Sequence, residues 1–257
     1  MNLWDDILDD NRCNDGRDKT VDFRNNQLLD DIIQLQVNGQ NILDEAKVLM
    51  EQLELEQAII SKKSHFNAYS VEREYVNSKS YHDKFERMPV NRDVQQRLYL
   101  EAGRLLDFVD GQEEERMIAM NARTGDLLVD NFDRKGSIKG TGFTLEEAKI
   151  LDTCKDGIIL LHNHSLNGRP SAQDMLTYLK EERVKMSLIL CHDGNIFGIY
   201  GVSPKFPEIY DEFLEQAKLK IGEKEITDEV KRLATTQMYI LNEKLGNRHK
   251  LFIVEKL

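Results

Sequence analysis

Apolar positions recur at two different periods along this chain, and the change of period divides it. From Ile42 to Ile60, the residues Ile42, Leu43, Ala46, Leu49, Met50, Leu53 and Ile60 recur at helical spacing, with Glu, Lys and Gln on the opposite side. This predicts a helix for packing or self-association. Residues 61–90 are polar and mixed, and Pro89 closes them off. Val94, Leu98, Ala102, Leu105 and Val109 then predict a second amphipathic helix, with Asn91 as its N-cap and Asp110-Gly111 as the turn that ends it.

From Glu113 onward short apolar runs replace the helical stripe. Met117–Met120 reads as a buried strand, residues 121–126 as a turn, and Leu127–Val129 as a strand pairing back. A Gly-rich connection runs from Lys135 to Phe143. Thr144-Leu145-Glu146-Glu147 is a capping box that opens a helix to about Cys154. A strand over 157–162, a loop over 163–170 and a helix over 171–184 follow. Ser187–Cys191 and Ile196–Val202 then form a hairpin about Asp193-Gly194. The order strand, strand, helix, strand, helix, strand, strand predicts an α/β (α+β) mixed sheet with flanking helices. Pro204 and Pro207 end that unit, helices are expected at 207–220 and 226–245, and Leu251–Val254 reads as a short strand. Four regions result: an acidic, mobile arm or short peripheral helix at 1–38, a helical N-terminal region at 39–109, the mixed-sheet domain at 110–204, and a helical C-terminal extension at 205–257.

Composition narrows the function classes. The net charge of −11 counts against a dense phosphate-binding footprint. No apolar run approaches the ~20 residues of a membrane span, and the acidic N-terminus lacks the pattern of a secretory signal. The 3 cysteines, Cys13, Cys154 and Cys191, are widely spaced and form no C-x-x-C pair. A reducing cytoplasm is the expected compartment. Cys154 and Cys191 read as buried free thiols rather than as a second metal site with His192. The H-x-E and P-C-x-x-C pair of the zinc nucleotide deaminases is absent.

The densest chemistry lies in Gly157–Asp174, GIILLHNHSLNGRPSAQD. Residues i and i+2 of a strand point the same way, so His162 and His164 can face one point. Asp174, at the start of the next helix, can bring a carboxylate there. Two imidazoles and one carboxylate suit a catalytic zinc with its fourth position open. The other reading is local: Ser171-x-x-Asp174 is also a capping box with an acid favoured by the helix dipole.

His162-Asn163-His164 followed by Pro170-Ser171-Ala172-Gln173-Asp174 resembles the signature of the JAMM metalloproteases, the MPN/JAB-domain group. The His-Asn-His form is similar to the RadC-like and phage-associated branch. The likeness covers about residues 110–202 and implies a JAB/MPN-like (cytidine-deaminase-like) core. Two departures stand out: Ser165 replaces the proline usual after the second histidine, and the loop from His164 to Ser171 is one residue shorter than usual.

The resemblance implies roles. His162, His164 and Asp174 would hold one Zn²⁺ per chain, Glu115 would act as general base, and Ser171 would donate to the oxyanion unless its hydroxyl serves the helix cap. Glu113, Glu114 and Glu115 are adjacent, and Glu113 and Glu115 share a strand face. RadC-like spacing favours Glu113, the shorter JAMM spacing favours Glu115, and Glu115 is the expected base. The implied activity is a metallopeptidase or isopeptidase acting on a peptide or isopeptide-linked protein. The alternatives are a RadC-like accessory to DNA processing and a non-catalytic MPN-type binding module.

Overall fold

The computed structural model describes residues 42–52, 69–136, 140–245 and 250–257. The expected arm at 1–38 and the second half of the 42–60 helix lie outside the described residues.

In chain order the elements are α1 (42–52), α2 (Arg73–Val76), α3 (Lys79–Glu86), α4 (Arg92–Val109), β1 (Met117–Asn121), β2 (Leu127–Asp130), α5 (Leu145–Thr153), β3 (Ile158–His164), α6 (Ala172–Lys180), β4 (Val184–Cys191), β5 (Ile196–Val202), α7 (Phe206–Ile221), α8 (Asp228–Lys244) and β6 (Phe252–Lys256). The strands form one six-stranded sheet in the order β2-β1-β3-β4-β5-β6. β3 and β4 are parallel, and every other neighbouring pair is antiparallel. The parallel pair needs a crossover, which α6 provides. The fold is a mixed α/β sheet with flanking helices.

Both faces of the sheet are covered, which is why its central strands read as continuous apolar runs rather than as alternating ones. Ile158, Leu160, Ile189 and Ile199 point into a core shared with α1, α6, α7 and α8. Ile118, Met120, Ile159, Leu161 and Leu188 point into a second core under α2, α3 and α4. Ile42 and Ala46 of α1 are buried in the first core, and Asp44 and Glu45 pair with Lys220 and Lys244. That face of the stripe is therefore used within the chain. β6 extends the sheet beyond β5, so the last residues share the sheet of the central strands.

Caps formed where the sequence marked them. Asn91 accepts from the Val94 amide at α4. Asp193-Gly194 turns β4 into β5, with Gly194 at φ 80°, a region that glycine enters without strain. Three differences have physical causes. The segment 61–90, polar and mixed within the helical region expected at 39–109 but assigned no element of its own, contains α2 and α3. They are too short to display a periodic stripe, and they bury Tyr81 and Phe85 together with the charged Lys84, whose ammonium donates to the Gly194 carbonyl at 2.8 Å. The helix expected over 171–184 stops at Lys180, because Val184 is drawn into the parallel ladder opposite Ile158. β4 accordingly starts three residues earlier than expected, and β3 runs on to His164 opposite Cys191. Among the described residues no helix is long and apolar enough to cross a membrane.

Candidate metal centre

β3 ends at the carboxyl edge of its parallel pairing with β4, and α6 starts from the same edge. Strand alternation sends His162 and His164 to the face on which α6 packs. The intervening loop is tied on both sides. Asn167 adopts a left-handed φ of 60° and its side chain accepts from the Asp193 amide at 2.9 Å. At the far end the Tyr239 hydroxyl of α8 donates to the Pro170 carbonyl at 2.8 Å.

Asp174 is held by its own helix start. One oxygen, Oδ2, accepts the Ser171 amide at 2.6 Å and the Ser171 hydroxyl at 2.8 Å, while the Asp174 amide donates back to Ser171 Oγ at 3.2 Å. This completes the capping box and leaves Oδ1 directed at His162 Nε2, 3.1 Å away. His164 Nε2 lies 3.4 Å from Oδ2, and the two imidazole Nε2 atoms are 3.2 Å apart. The Gly168 carbonyl lies 3.0 Å from His164 Nδ1, which fixes that ring with its Nδ1 proton on the carbonyl and Nε2 inward.

These separations suit a shared cation. A tetrahedral ion with bonds of about 2.0–2.1 Å sets its ligands roughly 3.3 Å apart. The donor chemistry agrees. Two imidazole nitrogens face each other across a carboxylate, and no Lys or Arg among the described residues pairs with Asp174. The cluster therefore needs a proton or a metal at its centre. The electrostatics express the same need. Burial opposes charge on Asp174, but the two imidazoles outweigh it and hold its carboxyl well below the usual range. Burial also opposes protonation of His164, but the Asp174 hydrogen bond and charge, the Glu115 charge and the Gly168 carbonyl prevail. Together they push it up from 6.5 to about 9. His162, His164 and Asp174 are thus brought together as a group able to hold a metal ion.

Glu115 Oε1 lies 4.0 Å from His164 Nε2, on the open side of the group. The reason is register. β1 pairs with β3 through Met117 opposite His162, and the same register carried two residues further sets Glu115 opposite His164, on one face. Burial raises the Glu115 carboxyl, an effect the two histidines partly offset. Glu114 points elsewhere, to Arg116 at 2.9 Å and the Gly136 amide at 3.0 Å. Glu113 is exposed and joins Glu115, His164, Ser165, Leu166 and Gly168 in lining a groove of about 150 Å³. Ser171 directs its proton to Asp174, so in this arrangement the hydroxyl serves the cap and orients the carboxylate.

Sequence reasoning passed over Asn163. It is fully buried on the face opposite the histidines, bonded to the backbone on both sides of Glu115. The signal available was a polar residue inside an otherwise apolar strand. His192 joins it there rather than joining the cysteines. Cys154 and Cys191 are buried free thiols. No protein-family model, curated protein or solved structure matches the chain.

Proposed function

We propose that the chain is a zinc-dependent hydrolase of the JAMM type that cleaves a peptide or isopeptide bond. The single observation that carries this reading is the convergence of His162 Nε2, His164 Nε2 and Asp174 within 3.1–3.4 Å of one another, with Glu115 next to their open side. The order β1-β2-α5-β3-α6-β4-β5 around that point supports a JAB/MPN-like core. The absence of a Lys or Arg partner for Asp174 among the described residues supports a metal as the neutralising group.

In this reading His162, His164 and Asp174 would hold Zn²⁺, which would supply Lewis acidity toward the scissile carbonyl and toward water near neutral pH. The remaining work falls to side chains. Glu115 takes the proton of the attacking water on Oε1 and returns it to the leaving amine, and the upward shift of its carboxyl suits a group that must both accept and release. Ser171 holds Asp174 through the capping box, which fixes the direction of Oδ1. The groove beside Glu115 and Leu166 receives the chain to be cleaved.

The test is metal analysis of the purified protein, followed by a panel of isopeptide-linked and dipeptide substrates with and without a chelator. One zinc per chain and chelator-sensitive hydrolysis are expected. A protein that takes up no zinc at micromolar concentration overturns the reading.

A further inference from the structure

We propose that Asn163 is a positioning residue that fixes the Glu115 carboxylate against His164 by holding the peptide units on both sides of it. The inference rests on the role of Glu115 given above, but its structural content stands separately.

β3 alternates, so Asn163 leaves the strand on the face opposite His162 and His164. Its side chain is fully buried. Oδ1 accepts the amide of Arg116 at 2.7 Å, and Nδ2 donates to the carbonyl of Glu114 at 3.2 Å. Those two groups flank Glu115. The amide orientation follows from its partners, because a backbone N–H only donates and a carbonyl only accepts. The second Nδ2 proton meets His192 Nε2 at 3.2 Å. That assigns the His192 proton to Nδ1, which donates to the Tyr69 carbonyl at 2.6 Å. Every polar atom of the Asn163 side chain is thereby used, and a fully satisfied buried network is rigid. Ser165 adds a further rung, its hydroxyl donating to the Glu113 carbonyl at 3.1 Å.

The regular ladder of β1 on β3 begins with Met117 opposite His162. Before that point Glu115 forms an isolated backbone bridge, and side-chain rungs from Asn163 and Ser165 add to it on the lead-in. The residues interleaved with the two histidines therefore have a task of their own. One face of the strand end gathers the metal donors, and the other grips the segment that delivers the base. A leucine of similar size at 163 would leave the Arg116 amide and the Glu114 carbonyl unpaired in a buried site, and the segment would shift to find water.

The experiment compares the wild type with Asn163→Ala, Asn163→Asp and Glu115→Gln, all loaded with zinc. Amide hydrogen exchange at Arg116, zinc content and crystal structures are read first. Arg116 is expected to be protected in the wild type and to exchange at least about tenfold faster in Asn163→Ala. Zinc content is expected to stay unchanged, and Glu115 to leave its 4.0 Å approach to His164. On whichever substrate of the panel the wild type cleaves, kcat falls while KM holds. Adding Asn163→Ala to Glu115→Gln costs nothing more, because both changes act through one carboxylate. Asn163→Asp, which keeps the acceptor for Arg116, recovers part of the loss. An unprotected Arg116 amide in the wild type overturns the proposal, whether or not the variants fold. So does an Asn163 variant in which Glu115 keeps its position, or an additive double substitution. If the wild type cleaves nothing, the peptidase reading fails, while exchange and the crystal positions still decide the clamp.

Discussion

Two helices of this protein start in the same way and end up in different chemistry. α5 opens with Thr144 and Glu147, α6 with Ser171 and Asp174, and both boxes are complete. The backbone amide of the cap residue donates to the acid at 2.6 Å in each, and the return bond to the hydroxyl is 3.2 Å in each. What differs is the acid's other neighbour. Glu147 meets the Arg134 guanidinium at 2.9 Å, so a fixed positive charge closes that site. Asp174 meets two imidazoles on a buried strand end, whose charge is conditional on a proton or replaceable by a metal. A capping box thus specifies where a carboxylate sits on its own helix, and the partner brought by the rest of the fold decides whether it meets a fixed charge or a group able to hold a metal ion.

The sharpest way to break this comparison is to remove the acids one at a time. Asp174→Ala or His164→Ala is expected to weaken zinc binding beyond the roughly 10–100-fold that loss of an outer-shell partner costs, as read by metal analysis after dialysis. Glu147→Ala should leave zinc content unchanged. Equal zinc loss in Glu147→Ala and Asp174→Ala would remove the distinction. Next in size is Glu115→Gln, which keeps the metal and lowers hydrolysis by about 10²–10⁴-fold on a substrate of the panel.

A pH series sharpens the contrast in the metal-free protein. The His164 pKa is raised from 6.5 to about 9. Its contribution to stability is fully present below the unfolded value and is lost as the pH climbs through the folded one. Tm should therefore fall between about pH 6.5 and 9. Zinc, which displaces that proton, should bind more tightly as the pH rises over the same window, with proton release visible by calorimetry in buffers of different ionisation enthalpy. A metal-free Tm that is flat across the window would contradict the buried Asp174–His164 coupling. The smallest effects belong to the caps. Thr144→Ala and Ser171→Ala should each cost about 1 kcal/mol in denaturant unfolding, and only Ser171→Ala should also lower zinc affinity, because its hydroxyl holds Oδ2 of the proposed ligand Asp174.

How far the chain could be read beforehand follows the range of the interactions involved. The Asn91, Thr144 and Ser171 caps and the Asp193-Gly194 turn depend on neighbours within a few residues, and all four were visible. The end of α6 was not, because Val184 leaves the helix for a strand partner at Ile158. α2 and α3 escaped notice because they are short and bury a lysine beside their aromatic residues. The pair His162 and His164 was legible from strand alternation, and Asp174 from its place in a cap. The residues alone left Glu113 and Glu115 on one strand face with only family spacing to favour Glu115, whereas the register of β1 against β3 sets Glu115 opposite His164, and the network through Asn163, His192 and Tyr69 spans segments far apart in sequence.

By itself, then, the order of residues determined which side chains share a strand face, where helices begin, and which carboxylate a cap would hold. Those outcomes are local, since alternation and capping act across two to four positions. Only the tertiary structure decided that one capped acid meets histidines and the other an arginine, and that Glu115 lies opposite His164. The reason is that strand register and crossover packing are set by burial summed over the whole sheet, and no short stretch of this chain carries that sum.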